Sequence, residues 1–505
     1  MTIKTFVCLV LLQILSIANS KYAPTWESLD KRPLPTWYDE EKFGIFVVWG
    51  LYAVPGITSE WMLYYWKGPN PNKDVVKFME DNYRKDFTYA DFGPMFTAEL
   101  FNATDFANLV KKAGAKYIVF TSKHCDGYCN WPSNQSWNWN SMDLGPKRDI
   151  VGELRSSILQ KGIHFGLYFA QTEWFHPLYL KDKANNFTTQ EYVKTHTYPQ
   201  MIDLVENYKP DVFWSDASWP PGYKYWNATN FIAWLYNSSP VKDTVVTNDR
   251  WGGRQTDCKH GDFWTCHDRF NPGRLLPHKW ENCMTLDRSS WGYRRNMKAS
   301  DVLSVRKVLN IFAQTISCGG NLLLNVGPTL YGRIAPIFEE RLETIGRFMK
   351  INSEAVYGTK PWVYQNDTAT KNVWYTSRLR NDSGLNPRRL YNKQQEANTI
   401  VYAWLFEWPD NQTLQLYAPK TTSTTRVSIL GYPGYQQVKA VNGILTVDLR
   451  SVFWKKLPSL DAWVFKMENL ASTDRNPFHF NGDRRIKNRK LEESASVEDD
   501  NNPIF

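Results

Sequence analysis

KYIVFT (116–121) and HFGLYF (164–169) are the two short apolar runs that decide the fold. A helical segment at 150–160 lies between them. Runs rich in β-branched and aromatic residues that alternate with amphipathic helices are typical of a parallel sheet. These residues therefore predict two parallel strands joined by a helix.

Similar runs continue the pattern toward both ends of the chain. They occur at 44–49, 211–215, 244–247 and 321–326, and a further helical segment occupies 191–208. This many units over about 330 residues favours a (β/α)8-like barrel of the TIM type over an open doubly wound sheet. An open sheet usually has a glycine-rich first turn, and GLYAVPG at 50–56 does not supply one.

The pattern of apolar and polar residues changes after a predicted helix at 336–350. Alternating strand-like runs follow at 373–376, 399–405, 414–417, 425–430 and 462–467, and they predict an antiparallel β-sandwich. The predicted organisation is a signal peptide at 1–20, a barrel at 21–358, a sandwich at 359–470 with an inserted polar loop at 378–397, and a polar, disordered tail at 471–505.

The N-terminus has the layout of a secretory signal peptide. Lys4 precedes an apolar run at 6–17, and the small-residue end is Ala18-Asn19-Ser20. This run is too short to span a bilayer, and no later stretch approaches about 18 apolar residues. We therefore expect a protein of the secretory pathway, lysosomal or extracellular, without a membrane span. Eight glycosylation sequons agree with this: Asn102, Asn134, Asn186, Asn227, Asn237, Asn366, Asn381 and Asn411.

Composition narrows the class of protein further. The net charge is +9, but a basic run at 484–490 is followed by acidic residues, so no single face for nucleic acid is predicted. The 23 tryptophans suit a protein that stacks indoles on sugar rings, and the alternative is a large aromatic core, which must account for most of them. Cys258 and Cys266 close a short loop and could pair, whereas Cys125 and Cys129 lack zinc or redox spacing. We expect no metal and no cofactor.

Candidate catalytic residues follow from the rule that function gathers at the C-terminal ends of barrel strands. Carboxylates dominate the polar residues near those ends, and the sequence shows no Ser–His motif or phosphate-binding loop. Paired carboxylates suit glycoside hydrolysis. Asp216, which ends VFWSD (212–216), is the sharpest candidate, although a strand-end Asp is often only a cap. The full set is Glu60, His124, Asp126, Tyr168, Asp216, Asn248, Asp249, Arg250, His267, Asp268 and Glu281.

Several longer motifs resemble those of the α-L-fucosidases, glycoside hydrolase family 29, of the animal tissue type. They are TSKHCDGYCNWPS (121–133), SWNWNS (136–141), EWFHP (173–177), WSD (214–216), NDRWG (248–252), KWENC (279–283), SWGYRR (290–295) and GGNLLLNVGP (319–328). The resemblance covers about residues 25–470. It implies a retaining exo-glycosidase, with a barrel and a C-terminal sandwich, that removes terminal α-L-fucose from fucosylated glycans of glycoproteins and glycolipids.

The resemblance also implies roles for individual residues. Asp216 matches the nucleophile, and Asp268 matches the general acid/base, for which Glu281 is the competing choice. The positions that match the fucose pocket are Glu60, His124, Tyr168, Trp214 and Arg250, and Cys283 matches the cysteine of the family signature. A nucleophile must stay ionised, so we expect Arg250 to lower the pKa of Asp216. A retaining enzyme further requires the two carboxyl groups to be about 5 to 5.5 Å apart.

Two departures from the family pattern fall in this pocket. Val48 stands where the family has a histidine, and Cys125, followed by Asp126, stands where it has a second histidine followed by glutamate. Each missing imidazole leaves a sugar hydroxyl poorly matched, at about 1 to 3 kcal/mol. The alternative to a working fucosidase is therefore a weak or silent, lectin-like fucose-binding protein. The retained carboxylates favour the enzyme, and the sequence leaves linkage preference and homo-oligomerisation open.

Overall fold

A computed structural model describes residues 21–379 and 399–471 of the chain. The predicted signal peptide, nearly all of the predicted loop at 378–397 and the predicted tail beyond residue 471 lie outside these residues. Arg378 and Leu379, which were expected in the loop, instead form the end of a strand.

The N-terminal part of the chain forms a curled parallel sheet of seven strands. They are β1 (Phe43–Val47), β2 (Tyr117–Lys123), β3 (His164–Ala170), β4 (Val212–Asp216), β5 (Val246–Thr247), β6 (Trp280–Thr285) and β7 (Gly320–Val326), in the order β5-β4-β3-β2-β1-β7-β6. The helices are α1 (Trp26–Leu29), α2 (Thr36–Glu41), α3 (Met62–Lys67), α4 (Lys73–Asn82), α5 (Ala103–Lys112), α6 (Ile150–Gln160), α7 (Pro177–Ala184), α8 (Tyr198–Tyr208), α9 (Ala228–Asn237), α10 (Val305–Ser317) and α11 (Pro336–Asn352). The predicted TIM-like fold is confirmed.

A short extended segment at 262–264 lies between the two edge strands of this sheet. The Asp262 amide donates to the Thr247 carbonyl of β5 at 2.9 Å, and the Glu281 amide of β6 donates to the Trp264 carbonyl at 2.8 Å. The Trp264 amide in turn donates to the Lys279 carbonyl at 2.9 Å. The segment thus takes the place of an eighth strand and connects β5 to β6.

Alternation along each strand decides which residues face the barrel interior. Phe46, Tyr168 and Trp214 belong to an apolar cluster inside the barrel. Their neighbours pack into the larger cluster that includes the helices. Asp216 follows Trp214 by two residues and therefore lies on the interior face, at the C-terminal end of β4.

The C-terminal part of the chain forms an antiparallel sheet of eight strands around a second core. The strands are β8 (Lys360–Asn366), β9 (Val373–Leu379), β10 (Thr399–Leu405), β11 (Thr413–Leu416), β12 (Thr421–Ile429), β13 (Tyr435–Val441), β14 (Ile444–Asp448) and β15 (Trp463–Leu470), in the order β11-β14-β13-β12-β15-β10-β9-β8. Val427, Val447 and Phe465 are fully buried in this core. Alternating burial is clear in β11 and β14, whereas β10 is buried along its whole length.

A buried ion cluster joins the two sheets. Asp39 of α2 accepts hydrogen bonds from Lys42 at 3.3 Å and Lys279 at 2.8 Å, and also from Lys360, the first residue of β8. The side chains of all four residues are buried. Although burial opposes ionisation, the three ammonium groups hold the pKa of Asp39 far below its usual range. One carboxylate therefore connects α2, the residue before β6, and the second sheet.

We expect Asp39→Asn to destabilise the protein by about 3 to 5 kcal/mol, because three buried ammonium groups lose their counter-charge. Denaturant unfolding at neutral pH measures this loss. Asp81→Asn provides the matched control, since Asp81 pairs with Lys77 at 2.9 Å on an exposed helix surface. The control should change the free energy of unfolding by less than about 1 kcal/mol. Equal stability of the Asp39 variant and the parent would contradict this interpretation of the cluster.

Candidate active site

Asp216 lies at the end of β4 and is held by two donors. The Tyr168 hydroxyl donates to Oδ2 at 2.9 Å, and Arg250 Nη1 donates to Oδ1 at 3.1 Å. Its side chain keeps 16% of its surface exposed. Burial raises the pKa of Asp216, and the charge of Arg250 only partly opposes this effect. The expected lowering by Arg250 is present, but burial outweighs it.

Arg250 also binds the second carboxylate of the predicted pair. Its Nη2 donates to Asp268 Oδ1 at 2.7 Å, while Nε donates to Thr265 Oγ1 at 2.9 Å. The guanidinium group lies 4.8 Å from the ring centroid of Trp214. The Asp268 side chain is 46% exposed and therefore open to solvent. One arginine thus brings together a buried and an accessible carboxylate, residues 52 positions apart in the sequence.

The loop that carries Arg250 and Asp268 is organised by the side chain of Asp249. Its Oδ2 accepts the backbone amides of Cys258 at 2.7 Å and Cys266 at 3.0 Å. The two cysteines form a disulfide, which is the pairing that their spacing permitted. Asp249 was a candidate for the chemistry because it follows a strand, but the structure uses its carboxylate to hold this loop.

Glu281 lies at a different depth in the barrel. Its Oε2 accepts hydrogen bonds from the hydroxyls of Tyr38 and Tyr117, both at 2.7 Å, and Oε1 accepts from Trp214 Nε1 at 2.9 Å. Tyr38 precedes β1 and Tyr117 begins β2, so this carboxyl group faces the N-terminal end of the barrel. Burial raises its pKa. Both oxygens are occupied by protein donors, away from the rim on which Asp268 lies.

Glu60 and His124 lie at the rim close to the two aspartates. Glu60 Oε2 accepts the backbone amides of Trp291 at 3.1 Å and Gly292 at 3.0 Å. Burial raises its pKa, with a smaller contribution from the charge of Asp268. Desolvation lowers the pKa of His124 to about 3, so this imidazole is neutral near pH 7. His124 Nδ1 is buried and has no hydrogen-bond partner within the part of the chain that the structure describes.

An aromatic wall extends from this site toward the surface, and its members Trp61, Tyr64 and Trp174 were not among the predicted site residues. The His124 ring stacks on Tyr168 at 5.9 Å and packs edge-on against Trp174 at 5.9 Å. Trp61 lies 5.0 Å from Trp174 and Tyr64 lies 5.3 Å from it. The adjacent pairs Glu60-Trp61 and Glu173-Trp174 were the available signal, because each places an indole beside a carboxylate in a loop.

Val48, Cys125 and Cys283 belong to the same interior cluster as Tyr168 and Trp214. All three are buried. The pKa of the Cys125 thiol is raised by burial and then by the negative charge of Asp216. Cys283 Sγ lies 3.8 Å from Arg250 Nη2, and burial raises its pKa as well. Both thiols are therefore protonated at neutral pH, adjacent to the carboxylate pair.

Glu173, His176 and His196 form a group with the composition of a metal site, with ligand atoms within 4.8 Å of one another. Glu173 Oε1, however, already binds the ammonium group of Lys123 at 2.6 Å and His196 Nε2 at 2.7 Å. A cation at this carboxylate would be repelled by Lys123. These residues fit an internal ion-pair network better than a metal centre. As to membranes, no described helix combines the length and apolarity that a crossing requires.

Comparisons with known proteins match most of the chain to one family. The family profile for α-L-fucosidase matches residues 9–354, and the profile for the α-L-fucosidase C-terminal domain matches 365–468. A putative α-L-fucosidase of Caenorhabditis elegans is 53% identical over 482 residues, covering 94% of this chain and 98% of that protein. Human tissue α-L-fucosidase is 49% identical over 414 residues, covering 82% and 84%. The structure of Thermotoga maritima α-fucosidase in complex with fucose has a TM-score of 0.70 and 29% identity, covering 88% of this chain and all of the other.

Proposed function

The chain belongs to the α-L-fucosidase family, and we therefore propose that it is a glycoside hydrolase. In this proposal it removes terminal α-L-fucose from fucosylated glycoproteins and glycolipids with retention of configuration. The observation that carries the proposal is the single guanidinium group of Arg250, which contacts Asp216 at 3.1 Å and Asp268 at 2.7 Å. A binding protein has no chemical need for this arrangement. The geometry therefore favours the enzyme over a silent, lectin-like relative.

In the proposed mechanism, Asp216 is the nucleophile and Asp268 is the general acid/base. Asp216 attacks the anomeric carbon while Asp268 gives a proton to the departing oxygen, and Asp268 then activates the water that releases fucose. Tyr168 and Arg250 hold the Asp216 carboxylate in one orientation. Asp268 has the exposure that exchange with solvent requires, which supports it over Glu281. Glu60, His124 and Trp214 line the sugar site, and Glu281 supports Trp214 from inside the barrel.

The direct test is hydrolysis of an aryl α-L-fucoside by the purified, glycosylated protein, followed by proton NMR. We expect fucose to appear first as the α anomer and to mutarotate afterwards, because two displacements at one carbon restore its configuration. Initial appearance of the β anomer would contradict the retaining mechanism. Release no faster than in buffer alone would contradict the enzyme assignment.

The acid limb of the pH–rate profile provides a separate prediction. Asp216 must be ionised to attack, and its pKa is raised, so kcat/KM should fall as the pH drops through a value above about 3.9, the ordinary pKa of aspartate. Initial rates between pH 3 and pH 8, about the range that brackets carboxylate titration, measure this limb. A midpoint at or below the ordinary aspartate value would contradict the dominance of burial at this site.

We further propose that the protein enters the secretory pathway and acts in lysosomes or outside the cell. Relatives named tissue and plasma α-L-fucosidase support this proposal. Five sequon asparagines in the described residues are exposed: Asn102, Asn134, Asn186, Asn366 and Asn411. The Cys258–Cys266 disulfide fits an oxidising compartment. We expect fucosylated glycan to be the substrate, with neither nucleic acid nor cofactor involved.

A further inference from the structure

Val48 and Cys125 form an apolar surface at the C-terminal end of the barrel interior. Val48 follows β1 and has the interior parity of Phe46, while Cys125 follows β2. They are 4% and 2% exposed and share one cluster with Tyr168, Trp214 and Ala217, which flank Asp216. This surface therefore lies next to the proposed nucleophile, where the sugar ring must sit.

Neither side chain offers a strong hydrogen-bonding group to a sugar. The Val48 amide donates to Asn325 Oδ1 at 3.1 Å, and the Cys125 carbonyl accepts the Trp174 amide at 3.0 Å. The Val48 side chain is purely apolar, and a protonated thiol is only a weak donor. A hydroxyl pressed against this surface would lose its water without gaining an equivalent partner, which weakens binding by about tenfold to a hundredfold.

Other parts of the site can still bind hydroxyls. His124 Nδ1 is buried without a partner in the described segments, and it is free to bond a ligand. Glu60 Oε2 accepts two amides and the Ser290 hydroxyl, and its second oxygen, Oε1, shows no donor from another residue among the hydrogen bonds of the described residues. The site thus has polar contacts for some ring substituents and an apolar contact, at Val48 and Cys125, for another.

We propose that Val48 and Cys125 are specificity-determining residues, which select a terminal α-L-fucosyl residue with one ring hydroxyl methylated or absent. The methyl ether or C–H group contacts these two side chains, and each buried methyl group adds apolar contact where a hydroxyl would be unpaired. This inference rests on the proposed function. The glycosidic bond that breaks, and the water that replaces the leaving group, are the same as for unmodified fucose.

The test compares aryl α-L-fucosides that carry no modification with those that are O-methylated or deoxygenated at position 2, 3 or 4. The inference predicts that at one position the modified substrate has a kcat/KM at or above that of the parent substrate. It is overturned if all modified substrates fall below the parent. If the protein is no more active than Asp216→Ala on every substrate, the proposed function is wrong. In that case, calorimetry compares the binding of modified and unmodified methyl fucosides and tests the sugar preference without turnover.

Variants separate this specificity role from a structural one. The double variant Val48→His/Cys125→His supplies two donors and should lower the ratio of modified to parent kcat/KM at least tenfold. The milder Cys125→Ser should lower the same ratio by a smaller factor. Cys318→Ser is the matched control, because Cys318 is equally buried but belongs to a separate cluster with Leu276 and Trp280. An unchanged ratio in both pocket variants, with the fold intact, would overturn the assignment.

Discussion

Asp216→Ala is expected to lower kcat for an aryl α-L-fucoside by on the order of 10⁴-fold or more, as removal of a nucleophile does in other enzymes. The substitution leaves no group beneath the anomeric carbon to form the covalent intermediate. It should also leave folding intact, because the Asp216 side chain is at the rim and the buried guanidinium group of Arg250 keeps its second partner, Asp268, at 2.7 Å. Steady-state kinetics and thermal unfolding together measure both effects.

Azide distinguishes loss of a nucleophile from general damage. A small anion can enter the space left by Asp216→Ala and attack in its place, giving a fucosyl azide of inverted configuration, because only one displacement then occurs. Asp243→Ala is the control. Asp243 is exposed and precedes β5, at the end of the barrel opposite the rim. Residual activity above one tenth of the parent would contradict the role of Asp216, as would an azide product of retained configuration.

The second large effect concerns the choice between Asp268 and Glu281. Asp268→Ala should lower kcat/KM for a natural disaccharide by about 10²- to 10⁴-fold, because the departing sugar oxygen needs a proton. A dinitrophenyl fucoside, whose leaving group departs without protonation, should be affected far less. The variant should fold normally because its side chain is 46% exposed. A series of aryl leaving groups of increasing pKa measures the difference.

Glu281→Ala should behave in the opposite way. The hydroxyls of Tyr38 and Tyr117 and the indole N–H of Trp214 lose their shared acceptor. An unpaired buried donor costs about 1 to 3 kcal/mol, so the melting temperature should fall substantially. The dependence of rate on leaving group should remain that of the parent. A steep leaving-group dependence in this variant, with Asp268→Ala unaffected, would exchange the two assignments.

Much of the barrel was predictable because its strands are buried on both faces and appear as continuous apolar runs. β6 was missed, since Glu281 and Asn282 interrupt its run with polar residues that face the interior or a helix. The same polar content made Glu281 resemble a rim residue, whereas the structure places it among tyrosines at the opposite end. A pattern of residue types does not reveal depth along the barrel axis.

Part of the candidate site was predictable as a set of residues, but its arrangement was not. Strand-end position pointed to Asp216, Arg250 and Asp268, and the family resemblance assigned their roles. Their contacts depend on the path of residues 250–268, which Asp249 and the disulfide determine through bonds within this loop that the pattern of residue types does not reveal. The raised pKa of Asp216 was also unforeseen, because it results from competition between burial and Arg250.

The covalent closure of the loop between Arg250 and Asp268 has a consequence for how active protein is made. Asp268 follows Cys266 by two residues, so the disulfide adds a covalent restraint on the proposed proton donor to the hydrogen bonds that Arg250 and Asp249 make in this loop. Expression in a reducing cytosol would leave the barrel assembled, but the loop that carries Asp268 would lose this covalent restraint. Recombinant production therefore belongs in a host compartment equipped with thiol oxidases, and the yield of active sites should follow the extent of oxidation more closely than the yield of folded chains.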